Sequence, residues 1–88
     1  MGLGEKARKI LEDGAVKMRV SRGGIAQQVT FTVKRVAFGN ISYVELFSDR
    51  VIDISEITRV AEETGLPVEA ANAKAFPEGK SSIDFKDV

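Results

Sequence analysis

Two tight-turn dipeptides, Gly23-Gly24 and Gly39-Asn40, interrupt a stretch of alternating apolar and polar residues, and they constrain this chain more than any other feature. A Gly-Gly loop supplies the positive φ angles of a type I′ hairpin, and a period of two marks a half-buried strand. With Gly23-Gly24 as the loop, Met18 faces Val29 and Val16 faces Phe31, while Lys17 meets Thr30 and Arg19 meets Gln28 on the other side. Apolar meets apolar and polar meets polar, which a slip of one residue would destroy. With Gly39-Asn40 as the second loop, Phe38 pairs with Ile41, Val36 with Tyr43, Lys34 with Glu45 and Val33 with Leu46. The Lys34/Glu45 pair adds about 0.2–1 kcal/mol in favour of that register.

Helical patterns flank this meander. Leu3, Ala7, Ile10 and Leu11 form one stripe of a first helix, about 3–13, which Gly14 ends in a left-handed cap. Asp53 and Glu56 stand at the N-cap and N3 positions of a second helix, about 54–64, whose expected buried stripe is Ile54, Ile57, Val60 and Ala61. Gly65, Leu66 and Pro67 end it. Residues 67–76 then read as a strand, Pro77 to Lys80 as a turn and 81–86 as a last strand. A three-residue loop pairs Ala75 with Ile83, Ala73 with Phe85 and Lys74 with Asp84. A shift of two residues sorts the faces almost as well, so this register stays open. Small Ala71, Ala73 and Ala75 on one face leave room for a helix to approach. The expected fold is α+β: helix, three-stranded antiparallel meander, helix and C-terminal β-hairpin, in the order α-β-β-β-α-β-β.

Eighty-eight residues are enough for one core and too few for two, so residues 1–88 are read as a single domain. At 43% apolar and 30% charged the chain is of globular composition. It has no Cys and no His, which removes disulfides, zinc-thiolate sites, thiol nucleophiles and the commonest general base together. Few Asn and Gln beside abundant Glu, Lys and Arg give a thermophile-like composition. No apolar run is long enough for a secretory leader or a membrane span, so no membrane partner and a cytoplasmic location are expected. No cofactor and no small-molecule substrate are indicated.

The net charge of zero conceals an asymmetry. Residues 1–38 hold eight bases against three acids, +5, and residues 39–88 hold five bases against ten acids, −5. Following both hairpin registers outward puts Lys17, Arg19, Gln28, Thr30, Thr32 and Lys34 on the face of the meander that points away from the core. Val36, Phe38, Ile41, Tyr43 and Phe47 share that face. A sheet surface open to water does not ordinarily display three aromatics and two aliphatics together, so a cover is expected. A helix of the same chain, a second copy in a homodimer, or single-stranded nucleic acid would each serve. In the last case bases stack on Phe38, Tyr43 and Phe47 while Lys17, Arg19 and Lys34 take phosphates, with Thr30 between them and Arg22 at the tip of the first hairpin.

Other motifs carry less. Gly2-Leu3-Gly4 follows no strand and fails the context of a dinucleotide fingerprint. Asn40-Ile41-Ser42 matches a glycosylation sequon by chance, inside a tight turn. Asp49, Asp53 and Glu56 could gather a hard cation, but capping and the helix dipole account for the latter two. Acids such as Glu62-Glu63 and Asp84/Asp87 read as exposed, and without His or Cys a Ser or Lys nucleophile has few activators, so no enzyme is expected. In element order alone, residues 3–64 resemble the double-stranded RNA-binding domain. That family grips phosphates with a basic cluster where this chain has Asp53-Ile54-Ser55-Glu56, so none of its residue roles transfer. The expected function is a small non-enzymatic binding module, nucleic-acid binding by the basic and aromatic face being the concrete reading. The alternative is a protein-interaction or homo-oligomeric assembly domain whose basic half docks on an acidic surface.

Overall fold

The computed structural model describes residues 3–86, so Met1, Gly2, Asp87 and Val88, including the Gly2 and Asp87 named above, lie outside the described residues. Helix α1 (Glu5–Asp13) leads through Gly14 into strand β1 (Ala15–Arg22), followed by β2 (Ile25–Phe38) and β3 (Ile41–Ser48). A 3₁₀ turn (Ile54–Glu56) opens helix α2 (Ile57–Thr64), and a second (Val68–Ala70) precedes the hairpin of β4 (Ala71–Phe76) and β5 (Lys80–Lys86). All five strands form one antiparallel sheet in the order β1-β2-β3-β5-β4. This is the α+β fold that the alternation and turn chemistry require.

Both meander registers match the sequence reading: Met18 pairs with Val29, Lys17 with Thr30, Lys34 with Glu45 and Phe38 with Ile41. Gly23 and Gly24 have φ of 59° and 80°, the left-handed pair that lets a two-residue loop follow the twist of its strands. The C-terminal hairpin takes the other register, two residues away from the Ala75/Ile83 pairing: Ala75 pairs with Ser81, Ala73 with Ile83 and Lys74 with Ser82. That choice sets Ala71 opposite Phe85 and Ala73 opposite Ile83, so that Ala71 and Ala73 pack against the core and Ala75 is left exposed.

The core lies on one side of the sheet. Met18, Val20, Val29, Phe31, Val44, Leu46, Ile83 and Phe85 are buried there, with Ala7 and Ile10 of α1 and Val60 and Ala61 of α2. Each large side chain so buried contributes roughly 1.5–3 kcal/mol. Ala71 and Ala73 pack against the same cluster, the close helix approach that small residues permit. Gly14 caps α1 in the left-handed region at φ 73°, its N–H donating to the Ile10 carbonyl at 3.0 Å.

Two expectations about the start of α2 are corrected. Ile54 is exposed because it sits in the 3₁₀ turn before the α-helix, out of phase with the stripe of Val60 and Ala61. Asp53 makes no side-chain cap. Its carboxylate instead accepts from the Gly23 N–H at 3.0 and 3.2 Å, while its own N–H donates to the Ser21 carbonyl at 3.0 Å. The segment before α2 is thereby tied to the tip of the first hairpin. Upstream, Asp49 N–H donates to the Thr30 carbonyl and Gln27 Nε2 to the Val51 carbonyl, so this segment runs beside the first half of β2 where β3 has ended.

Candidate functional site

Which side of the sheet a residue takes follows from the pleat. Core residues have even numbers in β1 and β3 and odd numbers in β2, β4 and β5; the remaining positions point the other way. The second face therefore carries Lys17 and Arg19 on β1, Thr30, Thr32, Lys34, Val36 and Phe38 on β2, and Ile41, Tyr43, Glu45 and Phe47 on β3. Both helices contribute their buried residues to the opposite side. Among the described residues no helix lies over this face, which removes the intramolecular cover from the three considered above.

Phe38, Tyr43 and Phe47 thus share one uncovered side of the β-layer. Phe38 is 79% exposed and its cross-strand partner Ile41 53%. Tyr43 and Phe47 are half-buried between neighbours. Phe47 and Tyr43 stand four residues apart on β3, roughly 13 Å at the rise of an extended strand. Lys34 Nζ lies 5.5 Å from the centroid of the Phe47 ring, a cation–π contact. Around that ring Thr32, Lys34, Asp49 and Lys80 line a shallow groove of about 380 Å³.

Of the sequence-predicted residues, Lys17, Arg19, Thr30, Lys34, Phe38, Tyr43 and Phe47 come together on this face. Arg22 does not join them. In the alternation it falls on the side of Met18 and Val20, exposed at the hairpin end. Thr30 is tied locally, its N–H donating to Asp49 Oδ1 at 3.2 Å.

The C-terminal hairpin adds residues that sequence reasoning missed. Because β5 inserts beside β3, Lys80, Asp84 and Lys86 of β5 and Lys74 of β4 also point to the uncovered face. Their alternation against Ile83 and Phe85 is visible in the sequence, but the strand they lie beside is not. Charge consequently separates by face rather than by half of the chain. Lys17, Arg19, Lys34, Lys74, Lys80 and Lys86 stand there against Glu45 and Asp84, with Asp49 at the rim. Three of these six bases come from the half of the sequence that is acidic in sum.

The three acids that could in principle gather a cation each have a partner in the fold: Asp49 accepts from the Thr30 N–H, Asp53 from the Gly23 N–H, and Glu56 pairs with Arg59 at 3.3 Å. Among the described residues no cluster of three acids has the spacing to hold a metal ion, and no helix is long and apolar enough to cross a membrane. Comparison of the chain with protein-family models, with curated proteins and with solved structures gives no match.

Proposed function

We propose that this protein binds single-stranded nucleic acid across its helix-free sheet face. The observation that carries the reading is the joint placement of Phe38, Tyr43 and Phe47 on one uncovered surface surrounded by six bases. Exposed rings on a sheet stack on the π-faces of unpaired bases, which a duplex keeps inside, and lysines at their edges neutralise the backbone. Lys34 already lies over Phe47; a base arriving on that ring displaces the ammonium toward the phosphate that the base brings with it. The spacing of Phe47 and Tyr43 suits bases that are not immediate neighbours along an extended strand.

Fluorescence anisotropy with labelled decanucleotides tests this. Tyr43→Ala and Phe47→Ala should each weaken binding by about tenfold or more, since stacking contributes about 1–3 kcal/mol per base, while the circular dichroism spectrum stays unchanged. Absence of binding at low salt would refute the reading.

The exposed Phe38/Ile41 pair favours one second reading, a homodimer through the tip of the second hairpin. Light scattering separates the two. A dimer that Phe38→Asp converts to monomers, with no affinity for oligonucleotides, would put a second copy of the chain in place of the nucleic acid.

A further inference from the structure

Beside Tyr43 the uncovered face dips into a groove of about 290 Å³ lined by Phe38, Ile41, Tyr43, Lys74, Asp84 and Lys86. Asp84 is the unusual member. It sits on β5 between Glu45 of β3 and Asn72 of β4, and it is only 8% exposed although it faces away from the core. Its buried Oδ1 has no hydrogen-bond partner among the described residues. Lys74 Nζ stands 3.9 Å from Oδ2, an ion contact too long for a hydrogen bond. A buried carboxylate oxygen without a donor is costly, and a ligand that brings the donor removes that cost.

The other groups in the groove say what carries the donor. Lys74 and Lys86 line the groove against Asp84, and Glu45, opposite Asp84 on β3, is also opposite Lys34 on β2, so a cationic side chain such as Arg or Lys finds no net attraction there. Phe38, Ile41 and Tyr43 offer apolar surface that suits a flat ring. The fitting guest is planar, has an N–H to give and travels with negative charge.

We propose that this groove is a base-selective subsite that takes a nucleotide whose base bears an amino group. The inference rests on the nucleic-acid reading above. The base lies against Tyr43, its amino group donates to Asp84, Lys86 meets the flanking phosphate, and Lys74 stays beside the carboxylate. Adenine, cytosine and guanine each have such an amino group, and a carboxylate accepting from cytosine N4 is an established pairing. Uracil and thymine have none. Each turns carbonyl oxygens toward the carboxylate on both sides of its single ring N–H.

Cytosine and uracil differ at one position with nearly equal stacking area, so they make the cleanest probes. Anisotropy titrations with pentanucleotides of deoxycytidine and of deoxyuridine should show the former bound about tenfold more tightly, the worth of one hydrogen bond to a charged group. Asp84→Asn supplies an amide N–H that suits the uracil carbonyl, so the ratio should fall to one or invert. Equal binding of the two oligonucleotides by the unaltered protein overturns the subsite and leaves the nucleic-acid reading intact, whatever the variant does. A preference that persists in Asp84→Asn overturns it as well. Failure to bind either oligonucleotide at low salt removes the underlying reading and this inference with it.

Discussion

Removing Lys34 and Lys80 together tests the electrostatic side of the proposal most directly. Both are exposed and both flank Phe47, so Lys34→Ala/Lys80→Ala takes away charge at the centre of the face without touching the core. Of the six bases on that face Lys74 is paired with Asp84, and the other five make no ion pair among the described residues, so five are counted as meeting phosphates. Each phosphate neutralised on a single strand adds about −0.7 to the slope of log K against log salt, so five give about −3.5. Between 50 and 200 mM salt, binding should therefore weaken roughly a hundredfold. With two contacts gone the slope becomes about −2.1 and the loss over the same range about twentyfold. Anisotropy titrations of one decanucleotide at four salt concentrations measure both slopes, and thermal unfolding of the free proteins checks that stability is unchanged. If the double variant kept the parent slope, nucleic acid would not lie across the Phe47 groove and the assignment of this face would fail. If the parent slope were near zero, phosphate contacts would not drive binding at all.

Three further outcomes concern the fold. Phe85→Ala empties a fully buried position between β3 and β4 and should cost about 3–5 kcal/mol, a large share of the roughly 4–13 kcal/mol expected at this size; a change below about 1 kcal/mol in urea unfolding would contradict the core described here. Asp53→Ala removes the acceptor of the Gly23 N–H and should lower stability by about 1 kcal/mol, and an unchanged urea midpoint would show that the tie between hairpin and helix is ornamental. Gly14→Ala and Gly65→Ala should each cost about 1–2 kcal/mol by the same cause, a left-handed backbone at φ 73° and 78°. A Cβ on Gly65 meets Ala7 Cβ at an ordinary 3.7 Å, so a much larger loss there than at Gly14 would mean that packing rather than the backbone sets the penalty.

The sequence by itself determined the elements of this protein and the pairing of its first three strands. Gly23-Gly24 and Gly39-Asn40 fix loops two residues long, and the alternation around them admits one register, because any slip exposes Met18, Val29 and Phe31 together. Gly14 and Gly65 likewise mark both helix ends through a conformation that other residues rarely adopt. The same local rules put Phe38, Tyr43 and Phe47 on one face with Lys17, Arg19 and Lys34. Only the tertiary structure decided what lies beyond reach of a tight turn. The turn around Pro77–Lys80 permits two registers of nearly equal face sorting, and the one taken sets Ala71 and Ala73, rather than Ala73 and Ala75, beside Phe85 and Ile83 against the core. That both helices take one side, that Asp53 reaches back to Gly23, and that Lys74, Lys80, Asp84 and Lys86 complete the uncovered face all depend on contacts between segments distant in sequence. Such contacts are set by how the whole core fills its volume, and no local pattern encodes that volume.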